Sequence, residues 1–174
     1  MKIVSIFGHK LYAFRYTAET DNELSRILKE WNDTYYLYNF ISNNKGDIPK
    51  NKNIAELVNQ LIEDANEIDE TLIMLSKNKT KKLEAFFKPL DNQEYRIVTL
   101  SKQKGRKNYL RIYAIRIDEN CFVITGGTIK FHHLNKDRQH TQKEMDKINA
   151  CRDYLKANKV MDADSFYEFI NEVQ

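Results

Sequence analysis

The chain has 174 residues, 30% of them charged and 41% hydrophobic, with five glycines, two prolines and a net charge of +3. That composition excludes a disordered or fibrous chain, the length suffices for one core without disulfides or metals, and no apolar run approaches the roughly 20 residues needed to cross a bilayer. The charge is uneven: residues 1–76 carry 8 basic and 12 acidic side chains (−4), residues 77–116 carry 12 and 3 (+9), and residues 117–174 carry 8 and 10 (−2).

Met1 to Phe7 and Lys10 to Tyr16 are short apolar runs about a glycine and a histidine, a pattern that predicts a β-hairpin. The first run is too short for a signal-peptide core and is followed by His9, Lys10 and Arg15 without a cleavage pattern. It therefore reads as a strand, and the cytoplasm is the default location. Thr20 with Glu23 forms a capping box, and Leu24, Ile27, Leu28, Trp31, Tyr35, Tyr38 and Ile41 mark one face of the helix it opens. Asn53 with Glu56 opens a second, in which Ile54, Leu57, Val58, Leu61, Ala65, Ile68, Leu72 and Leu75 hold helical spacing for about six turns. These two helices are expected to pair antiparallel, with their apolar seams as core. Residues 1–76 thus form an N-terminal hairpin and helical pair within a single domain spanning 1–174.

In the basic block, Lys77, Lys79, Lys81 and Lys82 fit a helix end running into a loop. Beyond Phe86-Phe87-Lys88-Pro89-Leu90 the hydrophobic period changes to two, predicting strands from Tyr95 to Leu100, Tyr109 to Ile117 and Cys121 to Thr125 in an antiparallel meander. Asp118-Glu119-Asn120 makes the last hairpin, with Asn120 suited to a left-handed closing position. Arg96, Lys102, Lys104, Arg106, Lys107, Arg111 and Arg116 lie on or between these strands, interleaved with Tyr95, Tyr109 and Tyr113. Alternation places Tyr109, Arg111 and Tyr113 on one face and Leu110, Ile112 and Ala114 on the other. Arginine forks onto phosphate and tyrosine stacks on bases, so the block reads either as a solvated basic surface or as an RNA-binding face. Thr141 with Glu144 forms a third capping box ahead of Met145, Ile148, Cys151 and Leu155, and Ser165 is expected to cap a short last helix.

Gly126-Gly127 lacks phosphate-loop spacing and reads as a strand end or bulge, with Lys130 just beyond it. His132, His133 and His140 show no zinc spacing, and adjacent histidines on an extended segment face opposite ways, so no metal or other cofactor is implied. Near basic neighbours a histidine tends to its neutral form, which accepts a proton near pH 7. Cys121 and Cys151 read as buried free thiols. There is no nucleophile elbow, Cys-His signature or close carboxylate pair. What remains suits metal-independent RNA cleavage, in which a 2′-hydroxyl attacks the adjacent phosphate and the protein orients it, moves protons and neutralises the pentavalent charge.

The segments Leu83-Glu84-Ala85-Phe86-Phe87-Lys88-Pro89-Leu90, Glu94-Tyr95-Arg96, Tyr109-Leu110-Arg111-Ile112-Tyr113, Gly127-Thr128-Ile129-Lys130 and Thr141-Gln142-Lys143-Glu144-Met145 occur in this order over residues 83–156. In that order they resemble the motifs of the RelE/ParE superfamily of toxins, especially its HigB-like branch; the chain departs from the pattern at Phe131 and Gln142. The resemblance implies an α+β fold with long N-terminal helices on a small antiparallel sheet and a C-terminal helix, residues 77–160 supplying the RelE-like sheet and terminal helix. It implies a toxin that cuts mRNA on the ribosome and is neutralised by a cognate antitoxin. Arg111 and Lys130 fall on family positions for functional basic groups, with Arg96 a third. The expected catalytic set is Arg111, Lys130, His132 and His133; the expected RNA-binding set is Arg96, Lys104, Arg106, Lys107, Tyr109, Tyr113 and Arg116. The alternative is a non-enzymatic protein of this fold that inhibits a protein target or binds nucleic acid as a regulator.

Overall fold

The computed structural model of the chain describes residues 1–90, 99–131 and 139–173. Strands β1 (Lys2–Phe7) and β2 (Leu11–Arg15) form the expected hairpin. Helices α1 (Glu23–Trp31), α2 (Thr34–Asn43) and α3 (Ile54–Lys77) follow, then strands β3 (Phe87–Pro89), β4 (Lys102–Lys107), β5 (Leu110–Asp118) and β6 (Cys121–Ile129), and helices α4 (Gln139–Ala157) and α5 (Ala163–Val173). The six strands make one sheet in the order β1-β2-β6-β5-β4-β3, in which β2 runs parallel to β6 and every other neighbouring pair is antiparallel. The fold is α+β as expected. Strands, not helices, come first in the chain, and the sheet is larger than a small antiparallel meander.

Each face of the sheet is covered. Leu24, Ile27 and Trp31 of α1, Leu37 and Ile41 of α2 and the Leu57-to-Leu75 seam of α3 pack on Leu11, Ala13, Leu110, Ile112, Ala114, Phe122 and Ile124. Ile148, Cys151 and Leu155 of α4 and Phe166, Phe169 and Ile170 of α5 pack on Tyr12, Phe14, Tyr113, Ile115, Ile117 and Val123. A strand buried on both sides reads as an apolar run rather than an alternation, which is why β5 and β6 look so hydrophobic. Leu61, at 0% exposure in the first of these cores, is a position where truncation to alanine would cost about 2–5 kcal/mol.

Several local expectations are corrected. The single helix expected over Leu24 to Ile41 is two, because Asp33 caps a new one, its Oδ1 accepting from the backbone N–H of Tyr35 at 2.9 Å and of Tyr36 at 3.1 Å. The break turns Tyr35 and Tyr38 out to solvent, 76% and 54% exposed, although their spacing had placed them on the core face. Asn22, not Thr20, caps α1, and α4 begins at Gln139, so Thr141 lies inside its first turn. Asp162 accepts from the Ser165 N–H at 2.9 Å at the start of α5. The Asn53–Glu56 capping box on α3 is present with both reciprocal bonds.

Of the strand expected from Tyr95 to Leu100, residues 95–98 lie outside the described residues; Leu100 takes a left-handed turn at φ 63, and the strand is Lys102–Lys107. The left-handed hairpin residue is Asn108 (φ 47), between β4 and β5, and not Asn120, whose Oδ1 accepts from the Leu83 N–H at 3.2 Å. Strand β6 runs straight through Gly126-Gly127 to Ile129, with its register shifting so that Tyr113 faces Gly126 and Ala114 faces Ile124, leaving Thr125 as the extra residue of a bulge.

Candidate nucleic-acid interface

The register of β4 and β5 determines which basic side chains share a surface. Lys104 pairs with Tyr113, and Arg106 with Arg111; across β5 and β6, Arg111 pairs with Thr128. Directly paired residues point to the same face, so Lys104, Arg106 and Arg111 project together on the side that carries α4. Lys130 follows one step past β6, where its N–H donates to the Tyr109 carbonyl at 2.7 Å. Burial first, and then the positive fields of Arg111, Lys104 and Arg106, hold the Lys130 ammonium below its ordinary pKa of 10.5. Arg111 is likewise pulled down, by burial and then by Arg106. Four cations therefore sit close enough to repel one another. The guanidinium of Arg111 is held against the strand, Nη1 donating to the carbonyls of Asn108 at 2.6 Å and Leu110 at 2.9 Å. Asn108 is in turn clamped by both oxygens of Asp64 on α3, each at 3.0 Å, which anchors the β4–β5 turn beneath the patch.

Other expected site residues are elsewhere. Lys107 alternates to the opposite face and pairs with Glu67 of α3 at 2.5 Å. Arg116 also lies on that face, 7% exposed and bonded to Glu84 at 3.2 Å, so it does not join the patch. Tyr113 is 1% exposed, a core side chain and not a platform for stacking a base, because α4 covers the β5 face at that point. Tyr109, expected on the face of Arg111 and Tyr113, is half-buried just before β5 and packs instead against the core of the opposite face, its ring 5.1 Å from that of Phe131, which continues through Phe40 to His140. Arg96, His132 and His133 lie outside the described residues.

Beside the patch is a buried charged cluster that reading the sequence missed. Glu23, 0% exposed, receives Nε and Nη2 of Arg26 at 2.8 and 2.9 Å, while Nη1 of the same guanidinium reaches Glu30 at 2.7 Å. Lys147 Nζ donates to Glu23 at 3.0 Å and to Glu144 at 3.1 Å. The second oxygen of Glu144, Oε2, is buried with no hydrogen-bond partner among the described residues. It occupies the space where a Cβ on Gly126 would stand, 1.9 Å away. Burial, more than its neighbours, raises the Glu144 pKa. Tyr16 completes the cluster: its hydroxyl donates to the Thr125 carbonyl at 2.7 Å and lies 3.2 Å from the Cys151 sulfur. Burial pushes the Cys121 and Cys151 thiols up to about 12, so both are protonated and unreactive at neutral pH, as free buried cysteines should be.

The cluster adjoins the patch through Tyr113, whose pKa, raised to about 12 mainly by burial, feels both Arg111 and Glu144. The sequence carries a signal for both carboxylates, in a spacing that also fits a helix cap. Glu23 and Glu144 each sit three residues after a threonine, the spacing of a capping box, and both turn inward instead.

Among the described residues no helix is long and apolar enough to cross a membrane. Comparison with known proteins finds no matching family model, no matching curated protein and no matching solved structure.

Proposed function

We propose that the protein is a metal-independent endoribonuclease, the toxin of a toxin–antitoxin pair, acting on mRNA at the ribosome in the cytoplasm and restrained by a cognate antitoxin. The observation that carries this reading is the convergence of Lys104, Arg106, Arg111 and Lys130 on one end of one sheet face. A preorganised group of cations in a partly desolvated setting stabilises a phosphorane more strongly than mobile surface lysines do, because its charge is already in place when the reaction needs it.

In the reaction the RNA 2′-oxygen attacks the neighbouring phosphorus and gives up its proton to a base. The 5′-oxygen leaves with a proton from an acid, and the products are a 2′,3′-cyclic phosphate and a 5′-hydroxyl. Arg111, held by two carbonyls, is assigned to the equatorial phosphoryl oxygens. Lys104 and Arg106 hold the flanking phosphates, and Lys130 is the adjacent amine of lowered pKa. Proton transfer was expected of His132 and His133, and these fall outside the described residues.

The test is brief induction in a bacterial host followed by primer extension on cellular mRNA. Cuts clustered within codons, together with growth arrest that Arg111→Ala relieves, are the expected result. Intact mRNA under growth arrest would replace this reading with inhibition of a protein target, and full toxicity of Arg111→Ala would remove Arg111 from the site.

A further inference from the structure

We infer that the cavity over Arg116 is a second anion site, on the opposite face of the sheet from the basic patch, and that it takes a small oxyanion, phosphate or carboxylate. Arg116 shares its face with Leu110, Ile112 and Ala114, whereas Arg111 points the other way. The two residues stand about 17 Å apart along β5 at the usual strand rise, so one ligand group does not serve both. The inference does not depend on whether the patch cuts RNA.

The cavity, of about 570 Å³, opens between the edge strand β3 and the turn that precedes it, and is lined by Lys82, Glu84, Phe87, Lys88, Gln103 and Arg116 among others. Arg116 is 7% exposed, yet among the described residues the hydrogen bond of its side chain is to Glu84, through Nη2 at 3.2 Å. A guanidinium carries five N–H donors in a fixed fork, and its strongest partners are oxyanions that accept two of them at 2.7–2.9 Å. Arg116 lines the cavity, and among the described residues the contact of its guanidinium is one long one, to a carboxylate that is itself 39% exposed.

The surrounding charge agrees. Lys82, Lys88 and Arg116 oppose Glu84, and Glu119, which pairs with Lys82, leaves one positive charge in excess. Lys88 reaches the Glu84 carbonyl only at 3.4 Å, long enough to be exchanged for a better acceptor. Phe87, 2% exposed, gives the cavity an apolar wall, and lowering the local polarity strengthens any ion pair made against it. Glu84 is already an oxyanion on Arg116: an incoming ligand shares the fork with it or displaces it.

The experiment is a titration of the isotope-labelled full chain with sodium phosphate and, separately, sodium acetate, each against sodium chloride at matched ionic strength, followed by NMR. Saturable shifts are expected at the Arg116 Nε–H and the Glu84 and Ala85 amides. Glu84→Gln removes the resident competitor and should tighten binding about fivefold. Lys88→Gln, at an exposed position of the edge strand, should weaken it severalfold, and Arg116→Gln should abolish it. Stronger binding of phosphate than of acetate identifies a phosphate ligand, and the reverse a carboxylate. Shifts confined to Arg106, Arg111 and Lys130, shifts equal to those in chloride, or an affinity unchanged by both Glu84→Gln and Lys88→Gln would overturn the site.

Discussion

Glu23 and Glu144, one from α1 and one from α4, share a single lysine, Lys147, whose Nζ stands 3.0 Å from the first carboxylate and 3.1 Å from the second. Arg26 also pairs with Glu23, so two cations face three carboxylates once Glu30 is included. The imbalance falls on Glu144, whose Oε2 has no partner among the described residues. Adding one proton there would neutralise the group.

A pH dependence follows from that proton. The Glu144 pKa is raised above its ordinary 4.5 in the folded protein, so the folded state holds the proton more tightly than the unfolded chain does. Its stabilisation is complete below the unfolded value and is lost as pH rises through the folded value. Glu144→Gln mimics the protonated form, keeps an oxygen for Lys147 and offers an amide to Glu23. It should be more stable than wild type by about 1–3 kcal/mol at pH 8 and no more stable near pH 4. Urea unfolding across that range measures the difference; a constant difference at every pH would remove Glu144 as its source.

Gly127 and Gly126 predict an asymmetry. A Cβ on Gly127 would stand 2.8 Å from the Arg111 carbonyl and 2.9 Å from Ile27, both of which are packed in place. A Cβ on Gly126 would meet the Glu144 carboxylate, the end of a longer side chain. Gly127→Ala should cost about 1–3 kcal/mol, and no change at Glu144 should rescue it. Gly126→Ala should be rescued in large part by Glu144→Ala, a coupling that a double-mutant cycle reads directly.

Arg106 and Arg111 are directly opposed across β4 and β5, a like-charge pair that costs the sheet about 0.2–1 kcal/mol and is relieved when an anion binds. Arg106→Gln and Lys104→Gln should each weaken single-stranded RNA binding uniformly over sequence and flatten the slope of log affinity against log salt by about 0.7. Lys107→Gln, on the opposite face with Glu67, should leave the slope unchanged. Fluorescence anisotropy at several salt concentrations distinguishes the three.

Lys130 should lose its proton at lower pH than an ordinary lysine, since burial and three neighbouring cations oppose the charged form. Competitive acetylation across pH, read by mass spectrometry, should find Lys130 labelled ahead of the exposed lysines 79 and 81 when reactivity is compared at equal accessibility. Arg111→Gln should move its profile back toward theirs.

Much of this was legible from local pattern. Alternation along Tyr109 to Ile117 separated Arg111 from Leu110 and Ile112 correctly, because a strand's side-chain period does not depend on what covers it. The Asn53–Glu56 box and the apolar seam of α3 are likewise local, and both are present. Where reading the sequence failed, the deciding contact was distant. Tyr113 alternates to the same face as Arg111, but whether it meets solvent or α4 depends on how far that helix reaches along the sheet. Glu23 and Glu144 carry capping-box spacing, and only the approach of α1 and α4 to the glycine edge of β6 turns them inward. Composition and period establish which groups can share a face; long-range packing selects which of them remain open to a ligand, since burial is a property of neighbours that the local chain does not contain.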